Sequence, residues 1–449
     1  MRELIVPAPP NPNLAPQQYF PQYHNQLNNQ LKLYLNTLSA NQLEIVKFIN
    51  SLTNLNLLSK NNFDAFGRLR ASTPYTIFDS QNRYAADAQF SEALTGSGTS
   101  TFLSNESAVR MDVTTASGDK VVRQSKRVMP YQPGKSLLVL CTFTMGAGEE
   151  NLRQRLGYFD ANNGVFLQQE DDELSFIVRT NTSGSPSDTR KITQANWNTD
   201  KLDGSGASGI TLDETKTQIL FMDFEWLGVG SVRCGFVIDG VFVTAHVFHN
   251  ANSLTSVYMQ TATLPVRYEI ETTGTISGTK SMKQICSSVM SEGGYSQVSA
   301  ESIARRTAAL ASIGSTFLPL VSIRLASNAL GAVVIPHQMR VLPTSSGNYE
   351  IALIKNGSLT SASYDTTTFP NVDFDVSATA ISGGTIVQNN YVTATNQSGS
   401  EAQLELGYNF DLQLGVTLGG TSDVYTVAVR ELGGSGDAIG SLAFYDLTA

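Results

Sequence analysis

Hydrophobic residues follow two different periods along this 449-residue chain. Near the N-terminus they recur in alternating steps of four and three, which is the a/d seam of a helix that packs against partner helices. The seam extends over about four heptads, and it consists of Leu27, Leu31, Tyr34, Leu38, Asn41, Ile45, Phe48, Leu52 and Leu55. Beyond residue 60 the pattern changes to short apolar or alternating runs, which are typical of β-strands.

The seam predicts that residues 22–60 form a helical segment for oligomerisation or docking. Further apolar residues between the seam positions widen the stripe, which favours a homotrimer or a surrounding foreign partner over a two-stranded coiled coil. Packing of the helix on this chain's own β-region is a third arrangement. Ser39 and Gln42 match a capping box, so the segment is one helix or two stacked helices.

The first 21 residues are predicted to be an extended anchoring arm. They contain six prolines, and each proline fixes φ and removes a backbone donor. Such an arm becomes ordered by lying on another protein, and a disordered tail is the alternative.

Residues 61–300 are predicted to form a β-sandwich of the jelly-roll or lectin-like type. Asp239-Gly240 and Asn163-Gly164 are hairpin signals between apolar runs. The runs cover residues 137–143, 174–178, 219–224, 232–238 and 241–245.

A second β pattern over residues 315–449 predicts a C-terminal β-sandwich, with residues 301–314 as a linker. The runs here cover residues 318–325, 332–335, 349–354 and 424–429. The predicted fold class is therefore mainly β: an extended arm and a helical stalk, followed by two sandwich domains. The two β-regions could also share one sheet system.

Composition narrows the choice of partners. Charged residues make up 15% of the chain, against about 25% in a typical globular domain, and the net charge is -9. Residues 311–449 carry four basic and eleven acidic side chains, so a nucleic-acid partner is not expected. No segment approaches the roughly 20 apolar residues that span a bilayer, so we expect no membrane insertion. The first residues lack the apolar stretch of a secretory signal, and we expect assembly in a cytoplasm.

Candidate catalytic and metal-binding groups are few. Cys141, Cys234 and Cys286 are widely spaced and are predicted to be buried thiols. His246 and His249 fall three residues apart in a β-run, where they point to opposite faces, so metal binding there would need a bend. We therefore expect no metal, no cofactor and no catalytic residues.

One acidic segment, one segment with oxygen ligands and one glycine-rich segment have alternative interpretations. Residues 170–173 are four consecutive acids, which fit either a solvated loop or the paired carboxylates of a glycosidase. Residues 160–164 fit a hairpin turn better than a calcium loop, because they are too short for an EF-hand. Residues 204–209 are predicted to be a flexible loop, since no Lys-Ser/Thr pair follows them.

Two tryptophans, Trp197 and Trp226, are candidates for stacking on a sugar ring, and Trp197 is the candidate glycan-binding residue. Burial in the core is the alternative for both, particularly for Trp226 within the run 224–227.

Several short stretches carry a resemblance to a known family. They are FDAFGRLR at 63–70, FDS at 78–80, GYFD at 157–160, WNTDKLDG at 197–204, LDETKTQI at 212–219, WLGVG at 226–230, LPVRYE at 264–269 and SEGG at 291–294. This set resembles a family of phage virion structural proteins that are frequent in phages of cyanobacteria and other aquatic bacteria. NQLKLYLN at 29–36 also resembles an N-terminal attachment helix of phage appendage proteins.

The resemblance covers roughly residues 63–445 and implies a non-enzymatic component of the virion. With the seam, it predicts a trimeric fibre or spike that binds other virion proteins through the N-terminal arm. Its outward β-domains would bind the host surface, with carbohydrate as the expected ligand. A capsid decoration protein and a polysaccharide depolymerase are the alternatives.

Overall fold

The computed structural model of the chain describes residues 28–33, 35, 36, 42, 72–296, 301–395, 401–407 and 409–448. The chain divides into two compact units, Met1–Ser72 and Thr73–Ala449. No helix that is long and apolar enough to cross a membrane occurs among the described residues.

In the first unit, residues 28–33, 35, 36 and 42 are helical, and their side chains are exposed. Of the nine seam residues, Leu31 falls within this described part and is exposed. The other eight, the predicted arm at 1–21 and Ser39 of the predicted capping box lie outside the described residues. The described helix is short, and it does not support the longer helical stalk that the seam predicts.

The second unit is built of antiparallel strands, which confirms the prediction of a mainly β chain with packed sheets. Fifteen strands precede residue 297 in the described chain: β1 (Tyr75–Gln81), β2 (Phe90–Thr95), β3 (Thr99–Leu103), β4 (Ala108–Val113), β5 (Lys120–Ser125), β6 (Leu137–Thr144), β7 (Glu149–Phe159), β8 (Gly164–Asp171), β9 (Glu173–Thr180), β10 (Ser187–Thr193), β11 (Gln218–Phe224), β12 (Val232–Ile238), β13 (Val241–Phe248), β14 (Val266–Thr272) and β15 (Lys280–Ser291).

These strands form the two sheets of a first sandwich. The eight-stranded sheet has the order β13-β12-β11-β6-β15-β4-β3, with β1 also paired to β15. The seven-stranded sheet has the order β10-β9-β8-β7-β14-β5-β2. Side chains from both sheets meet in one core, where Val139 and Phe143 of β6 join Leu156 of β7 and Phe176 of β9. Because side chains alternate along a strand, Leu138 and Leu140 of β6 lie on the opposite, outer face.

Twelve further strands follow in the part of the chain that the structure describes: β16 (Glu301–Arg305), β17 (Leu310–Ile313), β18 (Leu318–Leu325), β19 (Val334–Pro343), β20 (Gly347–Lys355), β21 (Ser358–Thr360), β22 (Val372–Asp375), β23 (Ala380–Ser382), β24 (Thr385–Ala394), β25 (Ala402–Glu405), β26 (Val424–Glu431) and β27 (Gly436–Asp446). They form one sheet of order β16-β27-β19-β25, which β17 joins beside β27, a second of order β22-β18-β26-β20-β24, and the pair β21-β23. A second core lies between the two larger sheets.

The segment 301–314, predicted to be a linker, forms two strands. β16 and β17 both pair with β27 and so belong to the second sandwich. Their apolar side chains Ala304 and Ile313 are buried in the second core, which explains why this short polar-looking segment is ordered as strands. No hydrogen-bonded ladder joins the sheets of the two sandwiches within the described residues.

The two sandwiches are docked on each other by residues 410–418. Phe410 is buried in the core of the first sandwich, and its carbonyl oxygen accepts a hydrogen bond from the Arg127 guanidinium. The backbone N–H of Val416 donates to the Lys126 carbonyl at 2.7 Å, and the Gln413 side chain donates to the Val128 carbonyl at 2.9 Å. These bonds satisfy buried polar groups of both partners, so the sandwiches form one packed unit.

The two predicted hairpins are present and have a local physical cause. Asp239 and Gly240 have φ values of 50° and 79°, which is the left-handed pair that a two-residue hairpin turn requires. The turn at 160–163 is held by the Asp160 carboxylate, which accepts hydrogen bonds from the N–H groups of Asn162 and Asn163. The residues at 160–164 are thus the hairpin turn favoured above.

Candidate functional site

The outer face of the eight-stranded sheet carries a row of charge next to an apolar row. Arg233, Asp223 and Leu138 lie directly opposite one another on β12, β11 and β6. Asp223 and Arg233 form an ion pair. Asp223 is 9% exposed, whereas the Arg233 side chain is 56% exposed. The carboxylate is therefore mostly buried at this face, and its guanidinium partner is exposed to solvent.

The apolar row holds an aromatic pair. Phe221 lies opposite Gly235 on β12 and contacts Phe242 of β13 edge to face, with ring centroids 5.1 Å apart. Phe221 is buried, while Phe242 is 51% exposed. A Cβ at Gly235 would come within 2.1 Å of the Val243 carbonyl oxygen and 2.8 Å of the Phe221 ring. Glycine at this position therefore makes room for the Phe221 ring.

The two rows line a cavity of about 240 Å³, here called the outer groove. Its lining residues are Leu138, Phe221, Asp223, Arg233, Phe242, Thr244 and Glu292. Glu292 accepts a hydrogen bond from the Ser136 hydroxyl at 2.9 Å. Among the described residues, the groove thus combines an exposed aromatic ring with two carboxylates and one guanidinium, which are the group types that bind the faces and hydroxyls of polar ring compounds.

Asp223 is the most unusual group in the outer groove. Burial raises the pKa of its carboxyl, the charge of Arg233 opposes that rise, and the charge of Glu292 adds to it. Its Oδ1 atom is buried and has no hydrogen-bond partner among the described residues. A buried polar atom without a partner costs free energy, and a perturbed carboxyl in a groove is a candidate functional group.

Two further cavities lie on the same face as the outer groove. One of about 290 Å³ shares Asp223 and Arg233 with it and also contains Glu225. The other, of about 680 Å³, is lined by Leu140, Ile219, Cys286 and polar residues of β1 and β15. Leu138 and Leu140 are successive outward residues of β6, so these cavities follow one another along the sheet.

The outer face of the seven-stranded sheet is closed by a network of ion pairs. Glu269 of β14 contacts Lys120, Arg155 and Arg267 at 2.9, 3.2 and 2.6 Å. Burial alone would raise the pKa of Glu269, but Arg267, Lys120 and Arg155 together lower it to about 2.

A general acid for glycoside cleavage must hold a proton near neutral pH, and Glu269 does not. Arginines also cover the aromatic rings of this face: the Arg179 guanidinium lies 5.0 Å from the Phe166 centroid, and Arg267 lies 5.5 Å from that of Phe159. This face is therefore a weaker candidate site than the outer groove.

The glycan-binding prediction for Trp197 is not supported. Its side chain is buried in the first core, where it packs on Phe176 with ring centroids 4.8 Å apart. Its indole N–H donates to the Ile192 carbonyl at 3.3 Å. Core burial, the alternative, is what the structure has. Trp226 is half-buried, and its indole N–H donates to the Met259 carbonyl at 3.2 Å.

The other candidate groups have ordinary structural positions. His246 is buried on β13 and accepts a hydrogen bond from the Asn198 N–H, and burial lowers its pKa to about 4. The acids at 170–173 form the β8–β9 turn, where Glu170 and Glu173 both pair with Lys191. Within the described part of the chain, no group of three or more side chains is arranged to hold a metal ion.

The loop at 204–209 and the thiols are also accounted for. The Asp200 carboxylate accepts hydrogen bonds from the N–H groups of Leu202 and Ser208, which fixes both ends of the loop. Cys141 and Cys234 are buried free thiols, as predicted, and Cys286 is half-buried and lines the 680 Å³ cavity.

Sequence reasoning missed Asp223, Arg233 and Phe242. One signal was available: the Asp239-Gly240 turn fixes the β12–β13 register, which pairs Val237 with Phe242 and sets both on one face. Asp223 lies beside Arg233 because β11 pairs with β12. The seven residues that connect these two strands do not set their register, so this contact could not be read from the turn.

No protein-family model matches the chain, and no curated protein matches it. Solved structures similar to part of the chain include the carbohydrate recognition domain of Emp47p, with 8% identity, 49% of this chain and 98% of that chain covered, and a TM-score of 0.31. Arcelin-5, a lectin-like defence protein from Phaseolus vulgaris, has 11% identity, covers 49% and 99% of the two chains and has a TM-score of 0.29. A Bacillus licheniformis beta-glucanase has 8% identity, covers 49% and 99% and has a TM-score of 0.28.

Proposed function

We propose that this chain is a structural component of a phage particle, a trimeric fibre or spike that is docked through its N-terminus and binds host-surface carbohydrate in the outer groove. The observation that carries the binding part of this proposal is the exposed ring of Phe242 in a groove that also holds the carboxylates of Asp223 and Glu292. A sugar ring offers an apolar face to an aromatic ring and hydroxyl donors to carboxylates, so it matches both kinds of group in the groove.

The particle part of the proposal is supported by the motif stretches over residues 63–294 and by the seam. Most of these stretches lie in the first sandwich, where Trp197 and Tyr158 are core residues. The Tyr158 hydroxyl donates to the Ala262 carbonyl at 2.7 Å and accepts from the Leu264 N–H at 3.0 Å. These stretches therefore contribute core residues to the first sandwich, as expected of segments that build a scaffold.

A polysaccharide depolymerase is the second candidate, favoured by one observation. Asp223 has a pKa raised by burial and lies in the same groove as Glu292. A raised carboxyl can serve as a general acid while a second carboxylate acts as base or nucleophile. A capsid decoration protein is a third candidate, and the position of the chain in a purified particle distinguishes it from a fibre.

The binding proposal is tested by titrating the full chain with surface polysaccharide purified from the host cell. A sugar that covers the exposed half of the Phe242 ring removes roughly 60 Å² of apolar surface, which is worth about 1.5 kcal/mol. Phe242→Ala is therefore expected to weaken binding about tenfold. Leu94→Ala is the matched control, because Leu94 is equally exposed on a strand of the other sheet.

The outcomes separate the candidates. Equal loss of affinity in both variants, or no binding by the unaltered chain, would refute the groove as the carbohydrate site. Release of reducing ends by the unaltered chain, and its loss in Asp223→Asn, would establish the depolymerase instead.

A further inference from the structure

Arginines of the second sandwich line a cavity of about 460 Å³ on the sheet of order β16-β27-β19-β25. Arg305 of β16 and Arg340 of β19 both lie directly opposite Ser441 of β27. The adjacent residues Met339 and Leu442 are buried in the second core. Because side chains alternate along a strand, Arg305, Ser441 and Arg340 lie together on the outer face of this sheet. These three residues are here called the arginine row.

Both arginines of the row are accessible to a ligand. Arg305 and Arg340 are exposed, and neither forms an ion pair within the part of the chain that the structure describes. Arg306, which also lines the cavity, donates to two backbone carbonyl oxygens, and these carry no net charge. Residues 297–300 and 396–400, which lie outside the described chain, contain no acid. Three guanidinium groups therefore attract anions here, although the net charge of the protein is -9.

The acidic groups near the row do not neutralise it. Glu401 is the one acid among the described lining residues, and it is exposed. Glu405 of β25 lies outside the lining and accepts hydrogen bonds from Gln403 and Gln338. Those two bonds lower the pKa of its carboxyl, burial opposes them, and the charge of Arg340 acts in the same direction as the bonds. Within the described chain, Arg340 is therefore near a carboxylate but not paired with it.

An apolar pair lies beside the arginine row on the same face. Leu342 of β19 lies directly opposite Ile439 of β27, and each is two residues from a member of the row. Both side chains are half-buried and line the cavity. An inorganic anion has no surface that suits this pair, whereas an acidic sugar has an apolar ring face next to its charged group.

A nucleic acid fits the row less well than an acidic sugar does. The two arginines are two strand spacings apart, which is about 10 Å, whereas duplex DNA presents one negative charge for about every 1.7 Å of its axis. Beyond the row, residues 311–449 carry eleven acidic and four basic side chains, which repel an extended chain of phosphates. The row therefore suits a ligand with one or two separate anionic groups.

We propose that the arginine row binds the charged group of an acidic saccharide, a carboxylate or a phosphate, with the sugar ring against Leu342 and Ile439. This site lies on the second sandwich and does not depend on the outer groove, so it gives the chain a second class of ligand. A guanidinium donates two parallel N–H bonds to a carboxylate or a phosphate. The Ser441 hydroxyl, which lies between the two arginines, supplies a further donor.

The test is isothermal titration of the full chain at neutral pH with two pairs of hexasaccharides. One pair is the galacturonate hexamer and its methyl ester, and the other is maltohexaose with and without a phosphate group. The members of a pair share one backbone and differ in negative charge. At least one charged member is expected to bind at least about tenfold more tightly than its neutral counterpart, as for hydrogen bonds to a charged group. The pair that shows this preference identifies the group as carboxylate or phosphate, and equal binding within both pairs, or no binding, would overturn the inference.

Variants separate the row from the overall charge of the protein. Arg305→Gln and Arg340→Gln each remove one guanidinium, and each is expected to reduce the preference for the charged member to less than threefold. Both should unfold at the same urea concentration as the unaltered chain, because neither arginine has an ion pair among the described residues. Arg83→Gln is the matched control: Arg83 is exposed after β1 of the first sandwich, 5.0 Å from the centroid of the Tyr84 ring, and its loss should keep the preference. Equal reduction in all three variants would show a dependence on net charge alone and would overturn the inference.

The remaining outcomes distinguish this inference from the proposed function. Phe242→Ala is expected to keep the preference, because Phe242 lies on the first sandwich. A preference that is lost in Phe242→Ala but kept in both row variants would assign the acidic saccharide to the outer groove; it would overturn this inference and leave the proposed binding function in place. A preference that depends on the row, together with binding of host polysaccharide that is unchanged in Phe242→Ala, would support this inference and refute the outer groove.

Discussion

The ion-pair network on the seven-stranded sheet is predicted to be structural, and Glu269→Gln tests this. Glu269 is 1% exposed and contacts Lys120, Arg155 and Arg267. The substitution keeps the shape of the side chain but removes the charge, so three cations lose a common partner. Removing one member of a buried ion pair typically costs about 3 to 5 kcal/mol.

The pKa of Glu269 gives an independent magnitude and a pH dependence. Folding lowers this pKa from 4.5 to about 2, which corresponds to about 3 kcal/mol of stability at neutral pH. Because the folded pKa is the lower one, the contribution is complete above pH 4.5 and is lost as the pH falls towards 2. At a pH of about 3, roughly half of it remains.

The assay is urea-induced unfolding of the unaltered chain and Glu269→Gln at neutral pH and near pH 3. We expect the difference in unfolding free energy to be about 3 kcal/mol at neutral pH and about half of that in acid. Glu173→Gln is the control, because Glu173 pairs with Lys191 at 2.7 Å in an exposed position, and it should cost less than about 1 kcal/mol. A difference that is absent at neutral pH, or that does not change with pH, would refute the structural assignment of Glu269.

Three further predictions concern the groove, the thiols and assembly. Gly235→Ala should lower the unfolding free energy by about 2 kcal/mol or more, because the new methyl group collides with the Val243 carbonyl and the Phe221 ring. Urea-induced unfolding measures the change, and unchanged stability would contradict the prediction. Burial raises the pKa of Cys141 to about 12, so an alkylating reagent should label the half-buried Cys286 first in the native protein. Peptide mass spectrometry identifies the labelled cysteine, and labelling of Cys141 before Cys286 would contradict the packing. Light scattering of the full chain should give a molar mass three times the chain mass of 48.4 kDa. The mass of a monomer would contradict the proposed trimer.

The strands of the core could be predicted from sequence because their pattern is local. The run 137–143 is short and almost continuously apolar, which is typical of a buried strand, and β6 buries Leu137, Val139, Cys141 and Phe143 in the first core. The Asp239-Gly240 hairpin followed from turn chemistry alone. By contrast, β16 and β17 are short, and they are strands because β27, more than 120 residues later, pairs with them.

The candidate site could not be predicted in the same way, because its residues meet across strands that are distant in sequence. Glu292 reaches the groove only through the pairing of β15 with β6. Trp197 illustrates the opposite error: a tryptophan between polar residues suggests a surface position, yet it follows a short 3-10 turn at Gln194–Asn196 and packs inward on Phe176 and Phe236. Sequence pattern indicates burial poorly where the chain leaves regular strands.

We proposed above that the outer groove binds host-surface carbohydrate as part of a phage particle. The most direct measurement is competition: phage particles that contain this chain are mixed with host cells in the presence of excess purified chain, and the unadsorbed particles are counted. We expect the unaltered chain and Leu94→Ala to reduce adsorption, whereas Phe242→Ala should reduce it about tenfold less effectively. Equal competition by Phe242→Ala, or no competition by the unaltered chain, would contradict it.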